Sequence, residues 1–417
     1  MATDTASQAA YMIVALAIAL ASVLWVEIVR DLYHALSHLW QPLYRLHVWH
    51  HKVFRRDLSV VSNKIYRQAH WYNDVPESLV MLSFSLLPWY IVRTWDVAPQ
   101  WAAWAGSLYT LTFLLGAIAR GLGVPMVDEL TDITHRQGKF TSLPSKWFVN
   151  RPYHWRHHFD NQNAYFSGTL SLIDKLLGTA LSLKNKRIAV TGASGTLGQA
   201  LLTQLHQAGA KVIGLTSSQS QIALDLPAGE VPIPTLSWQA GAEEELVKEL
   251  SKIDILVINH GVNVYGDRSP EAIAKSYEIN TFSTLRLMEA FYKTIQSDRD
   301  MVRKEIWINT SEAEVNPAFS PLYELSKRAT GELVTISRLD APCVIRKLIL
   351  GPFKSKLNPV GVMSADWVAK QIVNLAQRDI RNIIITVNPL TYILFPVKEF
   401  CTATYFRFFS SAKLSRF

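Results

Sequence analysis

The stretch Asp31–His51, DLYHALSHLWQPLYRLHVWHH, holds five of the chain's 12 histidines: His34, His38, His47, His50 and His51. They fall as His-x3-His and then His-x2-His-His. Residues three and four apart share one face of a helix, so each group can aim its imidazoles at one point. A lone His135 and a matching group, His154, His157 and His158, follow later. One histidine among apolar residues is ordinarily a satisfied core side chain. Ten of 12 before residue 160, in tight clusters, are not explained that way. They imply metal, and more imidazoles than one ion needs imply two ions. Imidazole suits Zn, Fe, Cu and Ni alike, and no His-Glu-x2-His pattern points to a zinc protease.

The cluster follows an apolar run, Tyr11–Val29 (YMIVALAIALASVLWVEIV). At ~1.5 Å per residue it nearly crosses a ~30 Å hydrocarbon core. No Lys or Arg precedes it, unlike a signal peptide, so an uncleaved span is expected. Arg30, Arg45, Lys52, Arg55, Arg56, Lys64 and Arg67 crowd the next segment, which the positive-inside rule puts in the cytoplasm. Two further apolar runs, Ser78–Val92 and Trp101–Ala119, should go out and return as a hairpin. All His clusters then end on one membrane face.

The 417 residues are 49% hydrophobic and only 18% charged, and the deficit of charge is confined to the first part. A net charge of +8 is scattered with no Lys/Arg block. That disfavours nucleic acid as a partner and suits an anionic membrane face. Two cysteines, Cys343 and Cys401, give no disulfide framework and suit a reducing compartment.

The spaced histidines, closed by NAYFSGTLSLIDKLLGT, resemble the fatty acid hydroxylase/sterol desaturase superfamily of integral-membrane oxygenases over residues 10–180. The resemblance implies a non-haem di-iron centre that activates O2 and attacks a C–H bond of a sterol, fatty-acyl or other isoprenoid lipid. An external electron donor would supply it. It makes His34, His38, His47, His50, His51, His135, His154, His157 and His158 the ligands of two Fe. The chain departs from the family in having no second His within Arg136–Phe140. His70, in AHWYNDVPES, is a tenth His read as lying outside the ligand set. Asp31, Asp132 and Asp160 could orient imidazole N–H groups.

At Arg187 the pattern changes to strands alternating with helices, an α/β domain with a parallel sheet. The strand from Arg187 runs into TGASGTLG, with Gly192, Ser194, Gly195, Thr196, Leu197 and Gly198 opening a helix. Glycines let the backbone approach a pyrophosphate, and a helix N-terminus favours its charge. Asn259 and Gly261 follow a further strand, Asn280 lies in YEIN, and Ser311 precedes the Tyr-x3-Lys pair Tyr323 and Lys327.

This set resembles the short-chain dehydrogenase/reductase family over residues 184–390. By that resemblance Tyr323 is the general acid/base and Lys327 lowers its pKa and binds the nicotinamide ribose. Ser311 holds the substrate oxygen, and Asn280 holds a water of the proton relay. The glycine spacing Gly-x2-Gly-x2-Gly departs from the commoner pattern. Ser311 to Tyr323 is one residue short, so Thr310 is an alternative. The second strand ends in Thr216-Ser217-Ser218, with no acid for a ribose 2′-OH, which favours NADP(H) over NAD(H). Asp225, in ALDL, is expected at the adenine.

The sequence thus predicts a helical membrane domain (1–182), a doubly wound Rossmann-like domain (183–390) and an amphipathic membrane-associating tail (391–417). The expected function is a bifunctional lipid oxidoreductase, resembling the bifunctional sterol desaturase/short-chain dehydrogenase proteins. It would couple di-iron hydroxylation or desaturation to an NADP(H)-dependent alcohol/carbonyl step. Alternatives are an oxygenase with a silent nucleotide module, or a metal-stabilised membrane scaffold.

Overall fold

The computed structural model describes residues 2–218, 221–227 and 229–411. The chain divides into two compact units, Met1–Ala180 and Leu181–Phe417.

The first unit is helical. Helix Ala2–Leu39 runs past the apolar segment and carries His34 and His38 on its last turns. Pro42, in the first turn of helix Gln41–Val53, supports a fresh start after the extended residue Trp40. The chain thereby turns, and His47 and His51 face back toward the first pair. Among the described residues three stretches are long and apolar enough to cross a membrane: Ser7–Leu39, Asn63–Thr94 and Gln100–Leu122.

The second stretch begins earlier than its hydropathy indicates. Residues Asn63–Ala69 are helical despite Lys64 and Arg67, and a π-turn at His70–Asp74 joins them to helix Val75–Phe84. Its polar side lines an internal cavity, so hydropathy alone understates the helix. Helix Arg151–Phe159 is capped by Asn150, whose side chain accepts from the Tyr153 N–H, with Pro152 in its first turn. That cap fixes the helix carrying His154, His157 and His158, all buried.

Among the described residues the second unit is built on nine strands: β1 (Arg187–Thr191), β2 (Lys211–Thr216), β3 (Ile222–Leu226), β4 (Gly229–Ile233), β5 (Thr235–Ser237), β6 (Ile255–Ile258), β7 (Glu305–Asn309), β8 (Val344–Leu350) and β9 (Asn382–Ile385). Seven form one sheet in the order β5-β2-β1-β6-β7-β8-β9, and every pairing in it is parallel. Strands β1, β6, β7 and β8 are buried nearly throughout, as expected of a sheet covered on both faces. The strand order reverses between β1 and β6. Open α/β sheets bind ligands beyond the strand ends at such a point.

Strands β3 and β4 are an antiparallel hairpin outside this sheet, which corrects the expectation for Asp225. The alternating stretch Ile222–Leu226 looks like the third strand, yet Asp225 is exposed on the hairpin. The strand beside β2 is β5, and it ends at Ser237, followed by the buried Trp238.

Helix Thr391–Phe409 covers most of the predicted tail; residues 412–417 lie outside the described residues. It packs on helix Pro321–Ser337, burying Phe395 and Glu399 and leaving Tyr392, Ile393, Phe400, Tyr405, Phe408 and Phe409 exposed.

Candidate functional site

In the first unit all nine predicted ligand histidines converge. They form a group of five (His34, His38, His47, His51, His157) and a group of four (His50, His135, His154, His158). Within each group one nitrogen per ring lies within 4.8 Å of every other. In the first, Nε2 of His34 is 3.0 Å from Nε2 of His157, and that of His51 is 3.0 Å from His47 and 3.3 Å from His38. In the second, Nε2 of His154 lies 2.9 Å from His135 and 3.1 Å from His158, which are 3.2 Å apart.

The outward nitrogens of His34, His157, His135 and His47 fix their tautomers. Nδ1 of His34 donates to the Phe166 carbonyl at 2.7 Å, and Nδ1 of His157 to the Ala164 carbonyl at 2.8 Å. Carbonyls only accept, so both Nε2 atoms carry lone pairs, and these face each other at 3.0 Å. That contact is repulsive unless a cation lies between. His135 is held in the same sense by Asp132, 2.6 Å from its Nδ1. His47 is held by the Asn73 amide oxygen at 2.8 Å. Metal–nitrogen bonds of about 2.1 Å at right angles give nitrogen–nitrogen edges of about 3.0 Å. The residues therefore fit two metal ions held by nitrogen alone, a donor set that several transition metals accept.

Of the three aspartates expected behind the imidazoles, Asp132 takes that position. Asp31 instead accepts the Gly168 N–H at 2.9 Å. For His34 and His157 the role passes to backbone carbonyls, which the sequence does not advertise. Residues Ala164 and Phe166 belong to the NAYF segment, and Asp174 holds that segment in place by accepting the N–H groups of Phe166 and Ser167, both at 2.8 Å.

In the second unit the turn after β1 meets helix Thr196–Gln207, whose N-cap is Gly195. Gly192 has φ +63°, open to glycine at little cost. A Cβ on Gly198 would run into the Gly192 carbonyl. The loop therefore keeps an open cradle of N–H groups at a helix N-terminus, which fits a dinucleotide pyrophosphate. Residues Gly192, Ser194, Gly195, Thr196, Leu197 and Gly198 would hold it. Ser194 Oγ reaches Thr216 Oγ1 at 3.1 Å, tying the loop to the end of β2, and Ser217 beside it is exposed.

Asn259 and Gly261 follow β6 beside that loop. The Asn259 N–H donates to Thr191 Oγ1 at 2.9 Å, and its amide oxygen accepts from Asn309 at 3.1 Å. Lys327 Nζ donates to the Asn309 carbonyl at 2.9 Å and lies 5.9 Å from the centre of the Tyr323 ring. Burial pushes the Lys327 ammonium down to about 8. Burial raises the Tyr323 phenol, and its hydrogen bond with Ser311 opposes the rise. Ser311, rather than Thr310, therefore meets the tyrosine. Ser311 has φ +75° and ψ 153°, a region where strain is characteristic of functional residues.

Asn280 sits in a π-turn, Glu278–Phe282, a distortion frequent at functional sites. Its amide oxygen accepts the Val262 N–H at 2.8 Å, and its NH2 donates to the Val262 carbonyl at 2.9 Å and to Ser326 Oγ at 3.0 Å. The side chain thus fastens the loop after β6 to the helix bearing Tyr323 and Lys327. His260 has no counterpart among the expected site residues. Its Nδ1 meets Thr191 Oγ1 at 2.9 Å, and burial, then Lys327, lowers it to about 4.

Comparison with known proteins agrees with this division. The short chain dehydrogenase family matches residues 186–342. A short chain dehydrogenase from Burkholderia cenocepacia, solved in complex with NADP, is 17% identical. It covers 55% of this chain and all of its own, with a TM-score of 0.45. A short-chain dehydrogenase/reductase from Serratia marcescens is 19% identical over 49% of this chain and 98% of its own, with a TM-score of 0.42. A protein of Synechocystis sp., the monoglucosyldiacylglycerol epimerase, is 63% identical over 399 residues, 95% of this chain and 97% of its own. With nearly its whole length matched at that identity, the chain belongs to the family of this epimerase, its second unit being a short-chain dehydrogenase domain.

Proposed function

We propose that the protein is a membrane-bound epimerase that inverts a carbinol carbon in the sugar headgroup of a monoglucosyldiacylglycerol. The observation that carries this is the joint placement of Ser311, Tyr323 and Lys327 beside an open dinucleotide cradle, in a chain so similar to a named epimerase. NADP(H), when bound, supplies a hydride acceptor and donor, so one alcohol can be oxidised and reduced again with no outside oxidant. Ser311 holds the sugar oxygen. Tyr323 takes the hydroxyl proton as the carbonyl forms and returns it when the alcohol is restored. Lys327, charged below about pH 8, favours the phenolate during that transfer. Inversion requires that the ketosugar turn over within the site before the second transfer. Asn280 positions the loop at Gly261 and Val262 against this machinery.

The lipid would come from a bilayer. Phe319, Val360 and Val362 are 98%, 87% and 68% exposed, on the loops after β7 and β8 at the sheet end that carries the glycine loop. The aromatic face of helix Thr391–Phe409 would rest at the same interface. In this reading the three apolar stretches of the first unit span the membrane, with the His groups and the dehydrogenase unit on the cytoplasmic side.

A second reading is favoured by the two His groups. They would hold two metal ions, and with iron, O2 and an external electron donor that centre would hydroxylate or desaturate the lipid. Epimerisation needs neither O2 nor a donor, so the two activities separate in one assay. Full-length protein in bilayers should invert the sugar anaerobically with NADP(H) present, and Tyr323→Phe should abolish this while keeping NADPH binding. Inversion that persists in Tyr323→Phe would overturn the first reading; O2 consumption with an oxidised lipid product would support the second.

A further inference from the structure

Ser311 stands at φ +75° and ψ 153°, and a residue so placed persists only where its surroundings over-determine it. The side toward β7 is held by backbone. The Thr310 and Ser311 N–H groups both donate to the Leu348 carbonyl on β8, at 3.1 and 3.3 Å. On the other side the local bonds are long: Ser311 Oγ takes the Ala313 N–H at 3.2 Å, and its carbonyl takes the Glu314 N–H at 3.3 Å. There the stronger fixture is the next side chain, Glu312.

The Glu312 carboxylate is buried, and among the described residues no cation pairs with it. It accepts from Thr386 Oγ1 at 2.8 Å, from Asn316 Nδ2 at 3.1 Å and from Thr391 Oγ1. Thr386 directly follows β9, and Thr391 is the first residue of helix Thr391–Phe409. Both hydroxyls accept from elsewhere, Thr386 from the Asn388 N–H at 3.0 Å and Thr391 from Asn316 Nδ2 at 2.7 Å. Their own hydrogens are thus turned to Glu312. Gly351, just after β8, leaves room for this arrangement: a Cβ there would collide with Thr386 Oγ1 and with the Glu312 carboxylate.

A buried carboxylate without a cation is costly. An apolar side chain would fill the same space without that cost, so packing does not account for a carboxylate here. Three donors from three segments do. Hydrogen bonds fix a group by direction as well as distance, and Glu312 is bonded through backbone to Ser311. The placement matters because Ser311 Oγ meets Tyr323, and moving a reacting group by about 1 Å can cost about 100-fold in rate.

We propose that Glu312 is a positioning residue: with Thr386 and Thr391 it holds Ser311 in its strained conformation and so sets the contact between Ser311 and Tyr323. The start of the C-terminal helix thereby takes part in building the site. That this serves inversion of a sugar carbon rests on the proposed function; that Glu312 holds Ser311 rests on the contacts alone.

Two readouts on the full-length protein in bilayers test this. The first is kinetic. Glu312→Ala should lower kcat for NADP(H)-dependent inversion about 100-fold, while the KM for the lipid changes less than about twofold. Glu312→Gln, which keeps one acceptor oxygen, should fall between. In a Ser311→Ala background Glu312→Ala should have no further effect, because it acts through Ser311. An unchanged kcat in Glu312→Ala, or a full further loss in that background, would overturn the proposal.

The second readout needs no activity. With Glu312 in place, Ser311→Gly should melt about 2–4 °C above Ser311→Ala, because glycine relieves the strain. In the Glu312→Ala background that gap should close, since the backbone is free to relax. An equal gap in both backgrounds, or none in either, would overturn the proposal. NADPH binding shows that each variant is folded. If Glu312→Ala does not fold, Thr391→Val takes its place: it withdraws one donor, keeps the shape, and should narrow the gap. Failure of the epimerase reading would look different: the unaltered protein would show no inversion, and the gap would still close.

Discussion

Asp174 accepts the Phe166 N–H at 2.8 Å, and the Phe166 carbonyl in turn takes the Nδ1–H of His34 at 2.7 Å. A carboxylate with no exposed surface thereby orients an imidazole through one residue of backbone. Asp174 also accepts from Tyr153 Oη at 2.9 Å and Thr179 Oγ1 at 2.6 Å. Asp174→Asn keeps the shape but exchanges one acceptor for a donor. The unaltered protein should hold two metal ions per chain, and the variant should lose about 10–100-fold in metal affinity, the usual cost of disturbing groups behind the ligands. Chelator competition with elemental analysis checks this. An unchanged affinity would mean that the Ala164–Phe166 segment is held without Asp174.

Ser311 combines two features whose effects can be separated. Its Oγ bonds to Tyr323 and also accepts the Ala313 N–H at 3.2 Å, while its φ of +75° is unfavourable for any side chain. Ser311→Ala loses both bonds and keeps the strain. Ser311→Gly loses the same bonds and relieves the strain, about 1–3 kcal/mol, less about 1 kcal/mol for glycine's entropy. The glycine variant should therefore be the more stable by about 1 kcal/mol, and both should be catalytically impaired. Thermal melting alongside turnover tests the pair; equal stability would show that the backbone is not strained there.

What could be read from sequence was local. Histidines spaced by three and four, glycines opening a helix, and Tyr323 four before Lys327 are short-range patterns with one geometric meaning each. What could not be read depends on distant backbone. Nothing in the string says that the carbonyls of Ala164 and Phe166 orient His157 and His34. Asp225 was misplaced because alternation looks the same in a sheet strand and in an inserted hairpin. The helix from Asn63 is hidden because Tyr66, His70, Asn73 and Asp74 turn toward a cavity while Asn63, Lys64 and Arg67 stay exposed, and hydropathy does not distinguish the two.

His260 should make stability depend on pH. Its half-buried imidazole titrates at about 4, against about 6.5 when unfolded. Between those values the unfolded chain binds the proton and the folded chain does not, so stability rises with pH across that window. Going from pH 6.5 to 5.5 should cost about 1 kcal/mol through this group, or about 2–4 °C in Tm. His260→Asn should lose that increment while the remaining acid sensitivity persists. The difference between the two melting profiles is the measurement, and parallel profiles would refute a half-buried neutral His260.

Glu399 ties the C-terminal helix to the catalytic one. Its carboxylate accepts from Lys347 Nζ at 2.8 Å, Thr335 Oγ1 at 2.9 Å and Arg338 Nη1 at 2.9 Å. Thr335 lies on helix Pro321–Ser337, which bears Tyr323, and Lys347 is a fully buried cation on β8. Removing the carboxylate leaves Lys347 with Thr335 Oγ1 at 2.8 Å and with the Glu314 carboxylate at 3.2 Å, a loss of the kind that costs up to about 3–5 kcal/mol. Much of that cost is relieved if helix Thr391–Phe409 lifts away and admits water to Lys347. Glu399→Ala should therefore speed amide exchange across residues 391–409 well before the sheet is affected. Glu399→Gln, which still accepts from Thr335, should fall between. If exchange over that helix does not change in either variant, the burial of Phe395 and the contacts of Thr391 with Asn316 and of Lys398 with Glu314 hold it, and the Glu399 pairs contribute only to the core beneath.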